Sequence, residues 1–283
     1  MFHYPIGVRS NNFRLGLRES ILKAAELGCN GIQLQATDGE TAAENMSKEQ
    51  RRELLKFTKD LGLEFSALCG DFGGHGFMID EDNEARIERS KRVLEMALDL
   101  ECNIVTTHIG ILHEDESNPR WDVMQRACSK LSCIGDELGG YFAIETGPEP
   151  AARLLTFLKS LDGHGMKVNF DPANLAMVIG EDIPAAVHTL KDYIVHTHAK
   201  DGMMLNGKPN PEAIYGFLDE DKLESISCLK ETPLGTGHVP FPEYLKALED
   251  IGFRGYLTIE REVGATPVED IALAVNFLRN LTK

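Results

Sequence analysis

No uninterrupted apolar run in this chain approaches the roughly 20 residues a bilayer span needs, so no membrane partner is expected. Positive charge is also scarce: 29 Lys and Arg stand against 45 Asp and Glu, a formal charge of −16. Such a field repels phosphate backbones, which argues against a nucleic-acid partner. The six cysteines (Cys29, Cys69, Cys102, Cys128, Cys133 and Cys228) include no Cys-x-x-Cys pair, so neither a redox motif nor a thiolate zinc site is expected. Met1 runs almost directly into Tyr4-Pro5-Ile6-Gly7-Val8 without a basic, apolar leader, which points to a cytoplasmic protein. No Gly-x-Gly-x-x-Gly follows the first strand, which weakens a dinucleotide-binding reading.

What the chain does contain is a repeat of strand and helix. Residues 3–9 read as a strand, followed by a helix in which Leu17, Ile21, Leu22, Ala25 and Leu27 recur at spacings of three and four until Gly28. After strand 31–35, Ser47 and Gln50 have capping-box spacing, and Leu54, Leu55, Thr58 and Leu61 form the buried stripe of a second helix. The alternation continues through strands 63–69, 103–108, 141–145, 166–171, 193–198 and 255–260. Helices follow at about 81–100, up to Leu138, and at 151–161, 183–191, 241–251 and 268–281. Eight such units in 283 residues predict a single (β/α)8 TIM barrel occupying residues 1–283, with no second domain. The stretch 199–240 reads as long and irregular and leaves the carboxyl end of a barrel strand, where barrel active sites lie. A partial lid is expected there, and Trp121 is placed in a loop.

Four strand ends carry chemistry. Side chains two apart on a strand share a face, so His196 and His198 in Tyr193-Ile194-Val195-His196-Thr197-His198 point the same way. Three other runs end in a carboxylate on the face opposite their apolar one: Phe142-Ala143-Ile144-Glu145, Val168-Asn169-Phe170-Asp171 and Leu257-Thr258-Ile259-Glu260. Three carboxylates meeting in a partly dehydrated barrel repel one another strongly, and one divalent cation neutralises them. An imidazole among oxygen ligands suits Mn2+, Mg2+, Co2+ or Zn2+.

The segments Ala143-Ile144-Glu145, Asn169-Phe170-Asp171-Pro172-Ala173-Asn174, His196-Thr197-His198-Ala199-Lys200-Asp201, Leu234-Gly235-Thr236-Gly237-His238 and Gly255-Tyr256-Leu257-Thr258-Ile259-Glu260-Arg261-Glu262 resemble the xylose isomerase-like TIM-barrel superfamily. That superfamily comprises sugar and sugar-phosphate isomerases and epimerases, with endonuclease IV-type AP endonucleases and several dehydratases among its members. The resemblance implies that Glu145, Asp171, His198 and Glu260 are metal ligands, and that Glu145 and Glu260 are the base and acid that move a proton next to a ketose carbonyl through an enediolate. Two departures stand out. Asn174 replaces a histidine frequent three residues after the strand-six aspartate, and Gln33 replaces a strand-two glutamate.

His108, Asn174, His196, Lys200 and Arg261 are candidate substrate-binding residues, with Arg261 alternatively pairing with Glu262 or Asp201. Gly235-x-Gly237 could bring backbone amides to an oxyanion. The expected ligand is a small-molecule sugar or sugar phosphate, and a homo-oligomer is left open. A metal-dependent lyase acting on a keto-polyol of inosose or dehydroshikimate type is the alternative. A nuclease is disfavoured by the acidic charge and by Asn174, and a non-catalytic sugar-binding barrel by the retention of all four ligand positions.

Overall fold

A computed structural model describes residues 2–216 and 222–282. Eight parallel strands close into a barrel: β1 (Ile6–Arg9), β2 (Gly31–Gln35), β3 (Glu64–Cys69), β4 (Ile104–Thr107), β5 (Tyr141–Glu145), β6 (Met166–Phe170), β7 (Ile194–Ala199) and β10 (Leu257–Ile259). Neighbours in the wall are neighbours in sequence. The exception lies between β7 and β10, where β8 (Asp201–Met204) and β9 (Leu229–Thr232) form a separate antiparallel ribbon. This is the (β/α)8 barrel that the alternation predicts.

The return helices form because their apolar residues recur at helical spacing and their ends are capped. Ser47 accepts from Gln50 N while the Gln50 side chain accepts from Ser47 N, so the predicted capping box is present at the helix Lys48–Asp60. Gly139, at φ 77°, ends the helix Pro119–Leu138 in the left-handed conformation that glycine adopts without strain. Between barrel and shell, Val8, Ile32, Phe142, Val168, Phe170 and Leu257 lose all solvent contact, each contributing about 1.5–3 kcal/mol. Phe170 stacks on Tyr244 of the helix Phe241–Asp250 with ring centroids 5.7 Å apart.

The barrel interior, by contrast, contains a polar chain. Thr258 Oγ1 lies 3.0 Å from His196 Nε2, and His196 Nδ1 lies 2.8 Å from Asn169 Oδ1. A register shift between Val168 and Asn169 brings Asn169 level with His196. Gly7, paired with Thr258 on the adjacent strand, makes room for this chain, since a Cβ there would stand 2.6 Å from Thr258 Oγ1.

Two expectations need correction. Trp121 is not in a loop; it lies in the first turn of the helix Pro119–Leu138, 4% exposed and edge-on to Phe157. Pro119 at the helix start sets φ for that turn, and Asn118 caps it by accepting from Arg120 N. The stretch 199–240 is ordered into the β8–β9 ribbon and the short helices Pro211–Tyr215 and Lys222–Ser227, with residues 217–221 outside the described residues. Among the described residues no helix is long and apolar enough to cross a membrane.

Candidate metal centre

Glu145, Asp171, His198 and Glu260 converge at the carboxyl ends of β5, β6, β7 and β10, each offering a donor atom within 4.8 Å of the others, and all four are buried. His198 Nδ1 lies 3.3 Å from Glu260 Oε2, 3.4 Å from Asp171 Oδ2 and 3.6 Å from Glu145 Oε2. Its other nitrogen, Nε2, lies 2.9 Å from Gln33 Oε1, and Gln33 Nε2 donates to Thr106 Oγ1 at 2.9 Å. With a cation on Nδ1, the imidazole would carry its proton on Nε2 and donate it to Gln33 Oε1, leaving the Nδ1 lone pair to face the ion among the three carboxylates. This is the tautomer a metal-binding histidine requires. The donor set therefore fits a divalent cation. Burial opposes charge on His198, but Glu145 and Asp171 outweigh it and its pKa is raised.

Asp171 is held from its own chain: Oδ1 accepts from Asn174 N at 2.9 Å, and Thr146 Oγ1 accepts from Asp171 N at 2.8 Å. Glu145 accepts from Asn174 Nδ2 at 3.0 Å on Oε1 and from Asn169 Nδ2 at 3.2 Å on Oε2. Burial raises its pKa, yet His108, His198 and Lys200 together hold it well below the usual carboxylate range. Glu260 is gripped by cations on both oxygens, Arg9 Nη1 on Oε1 and Lys200 Nζ at 2.9 Å on Oε2.

Above these four lies a cavity of about 180 Å3 whose wall includes Arg9, Asp71, His108, Asn174, Lys200, Tyr215 and Glu262. His108 Nδ1 is 3.1 Å from Asp71 Oδ2 and its Nε2 is 3.6 Å from Glu145 Oε1. Burial disfavours the imidazolium, but Glu145 and Asp71 push its pKa up to about 9. Lys200 Nζ bridges Glu260 and, at 2.7 Å, Glu262. Burial works against its charge, and Glu262, Asp171 and Glu145 more than offset that.

Of the candidate substrate-binding residues, His108, Asn174 and Lys200 reach the cavity wall. His196 does not. It lies one layer below His198, 1% exposed, with Asn169 and Thr258 on its two ring nitrogens, and burial pushes its pKa well down. It is a neutral support under Asn169. Arg261 also turns away: Nε meets Asp270 Oδ2 at 2.8 Å and Nη1 meets Glu231 Oε1 at 2.6 Å, so neither Glu262 nor Asp201 is its partner. The amides of Gly235 and Gly237 do reach an oxyanion, but it is the protein's own. Asp201 Oδ2 accepts from both, at 2.9 and 2.8 Å, and Oδ1 accepts from Gly202 N at 2.8 Å and Val239 N at 3.1 Å. This clamp ties the ribbon to the segment leading into the next helix.

Sequence reasoning missed Arg9, Asp71, Tyr215 and Glu262. Arg9 had a usable signal, since it ends β1 on the parity of Gly7, just as the carboxylates end their own strands. The profile described as xylose isomerase-like TIM barrel matches residues 21–281. The chain belongs to that family. An uncharacterized protein of Methanocaldococcus jannaschii is 25% identical over 188 residues, which is 62% of this chain and spans 56% of the relative's length. Among solved structures, a xylose isomerase domain protein from Planctomyces limnophilus is similar with TM-score 0.79 and 26% identity, covering 99% of this chain and 97% of that one. A probable 3-DHS dehydratase from Bacillus anthracis follows at 0.75 and 19%, covering 98% and 99%. A D-tagatose 3-epimerase-like protein follows at 0.73 and 20%, covering 98% of each. The last two likenesses show the shared fold.

Proposed function

We propose that the protein, working as one domain, is a divalent-metal-dependent enzyme that isomerises or epimerises a ketose by moving a proton on the carbon beside its carbonyl. One observation carries the reading: four donors from four neighbouring strand tips converge, buried, at the floor of a polar cavity of about 180 Å3, the place where barrel enzymes do their chemistry. Glu145, Asp171, His198 and Glu260 would hold the ion, with Mn2+, Mg2+, Co2+ and Zn2+ as suitable metals. A bound divalent cation supplies polarisation of the carbonyl, which makes the neighbouring C–H acidic.

The chain's own groups divide the remaining work. Asn174 Nδ2 holds Glu145 Oε1 from one side and His108 Nε2 approaches it from another, so that oxygen is aimed at the cavity. Glu260 approaches from β10 with Arg9 and Lys200 on its two carboxylate oxygens. The two glutamates take the proton from one face of the carbon and return it from the other. Lys200, His108 and Asn174 bind substrate hydroxyls. The same wall also favours a second reading, a lyase. His108, backed by Asp71 as a protonated imidazole, can hand its proton to a departing hydroxyl.

Metal analysis combined with exposure to ketoses in D2O tests both readings. Deuterium wash-in without loss of water supports isomerisation or epimerisation, and loss of water identifies the lyase. Glu260→Gln is expected to abolish wash-in; full activity in that variant with metal still bound would sink the assignment.

A further inference from the structure

The charges facing the cavity are unequal. Asp71, Glu145, Glu260 and Glu262 line it and Asp171 lies directly beneath, whereas its fixed cations among the described residues are Arg9 and Lys200. Both cations are committed. Arg9 is bonded to Glu260, and Lys200 is shared between Glu260 at 2.9 Å and Glu262 at 2.7 Å. A bound divalent ion and a protonated His108 bring these groups to neutrality at most. A dianionic phosphate or a carboxylate entering the cavity would then be buried without a counter-charge, and burying an uncompensated charge costs several kcal/mol.

Glu262 is the adjustable member of this set. It is half-exposed at the mouth, sits two residues beyond Glu260, and offers no donor to the four-residue centre. Its separation from Lys200 is that of a charge-assisted hydrogen bond.

We propose that Glu262 is a specificity-determining residue: by holding Lys200 against its own carboxylate it keeps that ammonium from an incoming anion, and so restricts the cavity to uncharged polyol ketones, rejecting ketose phosphates and keto acids. The inference rests on the enolising function proposed above and narrows its substrate class. A hydroxyl is accommodated where a phosphate is not, because it can donate to Glu262 or accept from the remaining Lys200 proton without adding charge.

The test compares Mg2+-loaded wild type with Glu262→Gln by calorimetry, using D-fructose, D-fructose 6-phosphate and inorganic phosphate as probes. Glutamine keeps the side chain's shape at a half-exposed position and frees Lys200 from its carboxylate. The expected result is that inorganic phosphate and D-fructose 6-phosphate bind Glu262→Gln at least tenfold more tightly than wild type, with the phosphorylated-to-free Kd ratio falling by the same factor. A change below threefold, including no detectable phosphate binding by either protein, overturns the proposal, as does a wild type that prefers the phosphorylated sugar. Deuterium wash-in on wild type with paired free and phosphorylated ketoses separates the two levels of argument. Exchange with phosphates alone removes the role of Glu262 and leaves enolisation standing, whereas exchange with neither class removes the enolising function itself.

Discussion

Gln33 is expected to set the metal affinity although it offers no ligand. Its Oε1 lies 2.9 Å from His198 Nε2, and its Nε2 lies 2.9 Å from Thr106 Oγ1, so both ends of the amide are bonded. Replacing Gln33 by Leu removes the acceptor from a fully buried imidazole. The ring then has two poor options: it leaves an N–H unpaired, at about 1–3 kcal/mol, or it moves its proton to Nδ1 and points an N–H at three carboxylates. In the second arrangement no lone pair remains for a cation. Groups in this position usually cost 10- to 100-fold in metal affinity, about 1.4–2.7 kcal/mol. Gln33→Glu keeps an acceptor at the same place and is expected to restore affinity to within about threefold or to strengthen it, since an anionic acceptor makes the ring more basic. Competition titration of Mn2+ against a fluorescent chelator measures all three proteins, with circular dichroism as the check on folding. A folded Gln33→Leu protein that binds Mn2+ within twofold of wild type would refute the argument about the tautomer.

Three further perturbations follow. Glu149 is buried with Leu112 N on Oε2 and, among the described residues, no hydrogen-bond partner on Oε1, and burial pushes its carboxyl from 4.5 up to about 8. The folded state therefore keeps a proton that the unfolded chain releases, so this group's contribution to stability is fully present below about pH 4.5 and is lost as pH rises to about 8, by up to about 4 kcal/mol. Glu149→Gln should lack that decline, and parallel wild-type and variant melting curves between pH 5 and 8 would contradict it. Arg261→Met removes the cation shared by Glu231 and Asp270, and should cost about 3 kcal/mol in urea unfolding; an unchanged midpoint would show that the bridges contribute nothing. Asp201→Ala leaves the amides of Gly202, Gly235, Gly237 and Val239 without their acceptor. Limited proteolysis should then cut within 202–239 at least tenfold faster than in wild type, while equal cutting rates would mean the clamp does not hold the ribbon.

The strand tips were legible because strand parity is a local rule: once Phe142 and Ile144 are assigned to the shell, Glu145 must face the interior. Depth along the barrel axis is not local. His196 and His198 share parity and residue type, yet the register shift at Asn169 and the space beside Gly7 place one beneath the layer with Asn169 and Thr258, and the other in it with three carboxylates. Arg9 was missed for a related reason. A basic tip on β1 answers no local question until β10 closes the barrel against it, pairing Gly7 with Thr258 and bringing the guanidinium to Glu260. Long-range partners also decide the fate of the anion-seeking glycines. Gly235 and Gly237 carry the backbone amides such a site needs, but Asp201, more than thirty residues earlier, fills it first, and a Cβ on Gly237 would meet that carboxylate at 2.2 Å. A glycine pair reports that something approaches the backbone closely; whether the visitor is a ligand or the chain itself depends on which carboxylate the fold has already sent there.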